Sequence, residues 1–153
     1  MNLRTQAQQA CYAKLKQWLQ EIYQNDVYMP DEELPIFALH AGSAIAVVEV
    51  QDYGDEEALI SIWSYVVTGA TVKPDLLDYL LRQNNKIKFG GFSLDPEDDI
   101  LFHAELIGST CDKKEIETSV STVLQIADEY DDIIVKTWGG ERAIDRMLEL
   151  GAN

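Results

Sequence analysis

The sequence predicts an α+β fold, a sheet of about five antiparallel strands flanked by helices in the order α-βββ-α-ββ-α-α. Three observations carry this: a 3.6-residue apolar stripe at the start, three β-branched runs separated by turn residues in the middle, and a second long helical stripe near the end. At 153 residues, 46% hydrophobic and 25% charged, the chain is long enough to bury a core and fits one domain spanning 1–153.

Leu3 to Asn25 place Ala7, Ala10, Cys11, Leu15, Trp18, Leu19, Ile22 and Tyr23 on one helical face. Ile36 to His40, Ser43 to Val50 and Glu57 to Val67 are rich in β-branched and aromatic residues. Ala41-Gly42 and Asp52-Tyr53-Gly54-Asp55 turn the chain between them, so an antiparallel meander follows. Pro74 suits a first helical turn and Asn84-Asn85 a stop, which sets a short helix over Lys73 to Asn85. Two further strands, about Lys86 to Leu94 and Asp99 to Ile107, meet across the turn Asp95-Pro96-Glu97-Asp98.

Asp112 and Glu115 have capping-box spacing. Ile116, Val120, Val123, Leu124, Ala127, Tyr130 and Ile134 then repeat along one face of a long helix. Gly139-Gly140 ends it, and Glu141 to Leu150 suffices for a last short helix.

The charge excludes some functions. Twenty-seven acidic against twelve basic side chains give −15, a surface that repels phosphate backbones, so no nucleic-acid partner is expected. No window approaches the roughly 18 apolar residues of a membrane span, and the N-terminus lacks the pattern of a leader, so a cytoplasmic chain without a membrane partner is expected. Cys11 and Cys111 are far apart in sequence and read as small core residues.

No cofactor or metal signature is present. Asp95, Glu97 and Asp99 alternate as in a calcium loop, but Ile100 stands where such a loop needs Gly and Leu106 where it needs the bidentate Glu. Gly90-Gly91 lacks the third glycine of a dinucleotide fingerprint. His103 shares a strand face with Leu101, Glu105 and Ile107. His40 shares one with Ile36 and Ala38, and neither histidine has a nucleophile at motif spacing, so no catalytic residue is assigned.

The strand Glu57 to Val67 is apolar on both faces, with Ala58, Ile60, Ile62 and Val66 alternating with Leu59, Trp63, Tyr65 and Val67. Ile45 and Val47 extend the second face. Helices of the chain, a second copy or a client peptide must cover that face. Leu59, Trp63, Tyr65, Val67, Ile45 and Val47 are therefore the candidate interface, with a homodimer or a polypeptide client as partner.

The block "LLDYLLRQNNKIKFGGFSLDPEDDILFHAELIG" joins a leucine-rich helix to paired asparagines, a Phe-Gly strand and an acidic turn into a second strand. It resembles the YbjN family, whose fold is similar to type III secretion chaperones of the CesT kind. The resemblance implies a small acidic α+β protein, bacterial and often dimeric, that binds polypeptide and performs no chemistry. It carries over no catalytic residues. Two other readings stay open at this level: a regulatory subunit sensing a small ligand through the sheet, and an enzyme using His103 with Glu105 or the acidic turn.

Overall fold

A computed structural model describes residues 3–151. The elements run α1 (Gln6–Tyr23), a short 3-10 turn, β1 (Val27–Tyr28), β2 (Ile36–Ala41), β3 (Ala44–Asp52), β4 (Ala58–Thr68), α2 (Pro74–Lys86), β5 (Gly91–Leu94), β6 (Ile100–Ile107), α3 (Lys113–Trp138), β7 (Glu141–Arg142) and α4 (Ala143–Gly151). The order is the expected one, but among the described residues the sheet has seven strands, not five, arranged β1-β2-β3-β4-β6-β5 with β7 on β4. The two extra strands are two residues each, too short for any alternation of apolar and polar residues to show.

Both long helices are capped by local chemistry. The Thr5 side chain accepts from the Gln8 N–H while Gln8 returns a bond to the Thr5 N–H, and Asp112 and Glu115 do the same for α3. Their apolar stripes, with Cys11, Leu15 and Leu19 from α1 and Ile116, Val120, Val123 and Ile134 from α3, pack on one sheet face. That face supplies Phe37, Leu39, Ala46, Val48, Ile60, Ile62, Ile100 and Phe102, all at most 2% exposed. Burying side chains of this size contributes about 1.5–3 kcal/mol each before entropy is counted. Cys11 and Cys111 are free and buried in this core, and burial pushes the Cys11 thiol up to about 11.

Strand β5 begins five residues later than Lys86 to Leu94 would have it. Helix α2 continues through Lys86, and Gly90 then takes φ +88° with its Cα so near β6 that a Cβ would lie 2.5 Å from the His103 carbonyl. The edge so formed is not left open. Asn84 of α2 accepts from the Phe92 N–H at 2.6 Å and donates to the Phe92 carbonyl at 3.2 Å, standing in for a neighbouring strand.

A second irregularity decides which side chains share a face. In the β4–β6 ladder Tyr65 lies opposite Leu101 and Val67 opposite Ile100, so Val66 is an extra residue and β4 bulges. Beyond the bulge Val67 turns to the core and is fully buried, paired also with Arg142 of β7. Gly140, at φ +78°, allows β7 to approach; a Cβ there would lie 2.5 Å from the Thr68 carbonyl.

Candidate binding face of the sheet

The helices α1, α2 and α3 cover one face of the sheet, and the other carries the candidate residues in cross-strand rows. Paired strand residues point to the same side, so the register gives each row directly. One row is Ala38, Val47, Trp63, His103 and Gly91. The next, two residues along each strand, is Ile36, Glu49, Ser61 and Glu105, followed by Gln51, Leu59 and Ile107. On the other side of Trp63 lie Ile45, Tyr65 and Leu101. Ile45, Val47, Leu59, Trp63 and Tyr65 thus share this face, whereas the bulge removes Val67 from it.

Trp63 and Tyr65 form the ridge of the face. Their rings meet edge to face, centroids 5.8 Å apart and planes at 88°. The Tyr65 hydroxyl donates to an Asp95 carboxylate oxygen at 2.9 Å, which fixes the ring and, with burial, pushes the phenol up from its ordinary value. Asp95 is itself held, because its other oxygen accepts from the Glu97 and Asp99 N–H groups at 2.9 Å each. The acidic turn therefore spends its first carboxylate on its own backbone and on Tyr65. Among the described residues no group of three or more His, Cys, Asp or Glu side chains could hold a metal ion.

Two clefts flank the ridge. One, about 190 Å³, is apolar, floored by Ile45, Val47, Trp63 and Tyr65 and walled by Ile144 and Met147 of α4. The other is shallow and part polar, lined by Gln51, Ser61, Leu101, His103 and Glu105 beside the same two aromatics. Here His103 Nδ1 lies 2.7 Å from Glu105, both side chains more than a third exposed. His103 and Glu105 are thus brought together, while the acidic turn contributes only the Asp95 contact to Tyr65. His40 is exposed at the end of β2.

Helix α4 is the part of this site that the sequence left unassigned. Its Ile144 and Met147 are one turn apart and close one end of the face, yet Ala143 is its only buried residue. Met147, Leu148 and Leu150 stay 52–66% exposed. The chain's own helices thus cover one end of the second face and leave the rest open.

No helix among the described residues is long and apolar enough to cross a membrane. The fold is similar to a chain in the crystal structure of the ExsC–ExsE complex, with a TM-score of 0.61 at 11% identity over 83% of this chain and 95% of that one. No match to the chain was found among curated proteins. Residues 11–146, from within α1 to the first turn of α4, match the model of the family described as T3SS (YopN, CesT) and YbjN peptide-binding chaperone 1. The chain belongs to this family of peptide-binding chaperones.

Proposed function

We propose that this chain is a non-enzymatic cytoplasmic chaperone module that holds an extended stretch of a client polypeptide on the open sheet face, and that it works as a homodimer. The observation that supports the client face is the Trp63–Tyr65 ridge, a rigid aromatic pair flanked by two clefts and left half-covered by the chain's own helices. Rigid aromatics lose little entropy on binding and dominate interface energies. The apolar cleft, at about 190 Å³, falls below the roughly 300–1,000 Å³ of small-molecule sites and suits one large side chain. The second cleft, about 310 Å³, is open and shallow, so neither cleft encloses a free ligand, which favours a peptide. The His103–Glu105 pair lies on a shallow open surface, unlike the water-excluding pockets in which acid–base groups act.

The dimer contact is assigned to a different surface. Leu77 and Leu81 of α2 are one turn apart, 44% and 72% exposed, and Phe89 beyond the helix is 53% exposed. Such a stripe is self-complementary about a two-fold axis. The sheet face then stays free for a client in each copy.

Panning a random peptide library against the chain tests the client face. Enriched peptides should bind the wild type and lose at least about tenfold in affinity with Trp63→Asp. Peptides indifferent to Trp63, or no enrichment, would remove the assignment. For the dimer, light scattering should give twice the 17.3 kDa chain mass, falling to one chain with Leu81→Asp. A monomeric wild type at tens of micromolar overturns that part.

A further inference from the structure

The proposed client face has a charge pattern that specifies what it takes. Its rows repeat every two residues along the strands, a spacing of about 6.6–6.8 Å. An extended peptide lying along β4 presents alternate side chains at that same spacing. The first row, Ile45 and Tyr65 beneath Met147, forms the apolar cleft. The second, Val47 and Trp63, is apolar and aromatic. The third sets Glu49 and Glu105 on either side of Ser61, each in register with it.

The two glutamates already have partners, but none that cancels their charge permanently. Glu49 accepts from the Gln51 amide at 2.8 Å and Glu105 meets His103 at 2.7 Å. Among the described residues no lysine or arginine lines either cleft. Lys88 lines a separate open cleft on the far side of His103 and Glu105, and Arg142 of β7 and Arg146 of α4 are committed to Asp145 and to Glu149 and Glu141. A cation over Ser61 would sit roughly one strand spacing, about 5 Å, from each carboxylate column.

The whole chain reinforces this, since −15 draws a positively charged segment from a distance and repels an acidic one. The glutamates of the face itself disfavour a second copy on it, which would bring carboxylates against carboxylates.

Resting on the proposed client face, we infer that the segment it binds is extended and basic-apolar, with the pattern apolar, any, apolar, any, Lys or Arg. The two apolar side chains fill the cleft and pack on Trp63, and the cation lies between Glu49 and Glu105.

Two synthetic peptides test it by fluorescence anisotropy, both containing Leu-Ser-Leu-Ser and ending the motif in Lys or in Glu. The wild type should bind the Lys peptide at least about fivefold more tightly at low salt, with the difference shrinking toward nothing at about 0.5 M salt. The double variant Glu49→Lys with Glu105→Lys should reverse the preference, its melting curve confirming that it folds. Equal affinity for the two peptides on the wild type, or an unchanged preference in the variant, overturns the charge pattern while leaving the face. Binding of neither peptide, or binding that survives Trp63→Asp, removes the face itself and this inference with it. A mass that falls to one chain as peptide is added shows a second copy on the face and overturns the assignment to peptide.

Discussion

The Ser43 hydroxyl lies 2.5 Å from a carboxylate oxygen of Asp131 and 2.7 Å from one of Asp128, so a single proton faces two acids. Asp131 is only 1% exposed on α3, and Ser43 sits in the β2–β3 turn that this contact docks onto the helix. Burial lifts the Asp131 carboxyl above its ordinary value, whereas the Ser43 N–H holds Asp128 below its own. A protonated Asp131 donating to Ser43, which donates to Asp128, satisfies every group.

The pH dependence follows from which state holds the proton. Folded chains keep the Asp131 proton to higher pH than unfolded chains, whose ordinary value is 3.8. The stability this group contributes is therefore complete below about 3.8 and is lost as pH rises through its lifted value. Asp131→Asn mimics the protonated acid, its amide donating to Ser43 while its oxygen still accepts the Asp132 N–H. Melting curves from pH 4 to 8 should show the variant gaining on the parent as pH rises. Asp128, held below its ordinary value of 3.8, has the opposite dependence, which falls below this pH window. Parallel curves would mean that Asp131 ionises normally.

Asn84 makes the β5 edge depend on one side chain. Replacing it with alanine leaves the Phe92 N–H and carbonyl without those partners, at a cost of about 2 kcal/mol in denaturant unfolding. Asn84→Asp should fare no better, because it turns a carboxylate oxygen on the Phe92 carbonyl. A loss within experimental error in both variants would show that water replaces the clamp.

His103→Ala addresses the non-enzymatic reading. The side chain is more than a third exposed and its bond to Glu105 is a surface contact, so unfolding should shift by no more than about 0.5 kcal/mol, with peptide binding retained. Loss of peptide binding in a stably folded variant would make His103 a client contact, whereas loss of a catalysed turnover with binding intact would restore the His103–Glu105 pair as an active centre.

What the sequence made legible and what it hid divide by the range of the interaction. The Asp112–Glu115 capping box, the α3 stripe and the Asp95 turn are local chemistry, and each stands where the residues place it. The shared face of Ile45, Val47, Leu59, Trp63 and Tyr65 follows from two-residue alternation. Val67 left that face because the bulge makes Val66 an extra residue, and alternation cannot show that one of two adjacent valines is unpaired. The Asn84 clamp and the Ser43–Asp131 contact join residues 8 and 88 positions apart, and nothing in the spacing of either pair marks it. Nor could periodicity say on which face α4 would lie.

Trp63 separates the client face from the dimer contact. It lines both clefts, stands opposite Val47 and His103 in the ladder and meets Tyr65 edge-on. Asp at this position removes the largest apolar surface on the face and sets a third carboxylate near Glu49 and Glu105. The site is half-buried and opens on two clefts that let water reach the charge, so the fold should survive with a loss of about 1–2 kcal/mol. Peptide affinity should fall at least about tenfold, as expected of a central aromatic anchor. Light scattering should still report a dimer, because Leu77 and Leu81 lie on α2. A variant that becomes monomeric while remaining folded would place the second copy on the sheet face and leave α2 to another partner. A folded variant that keeps both its dimer and its peptide would show that neither partner uses the Trp63–Tyr65 ridge.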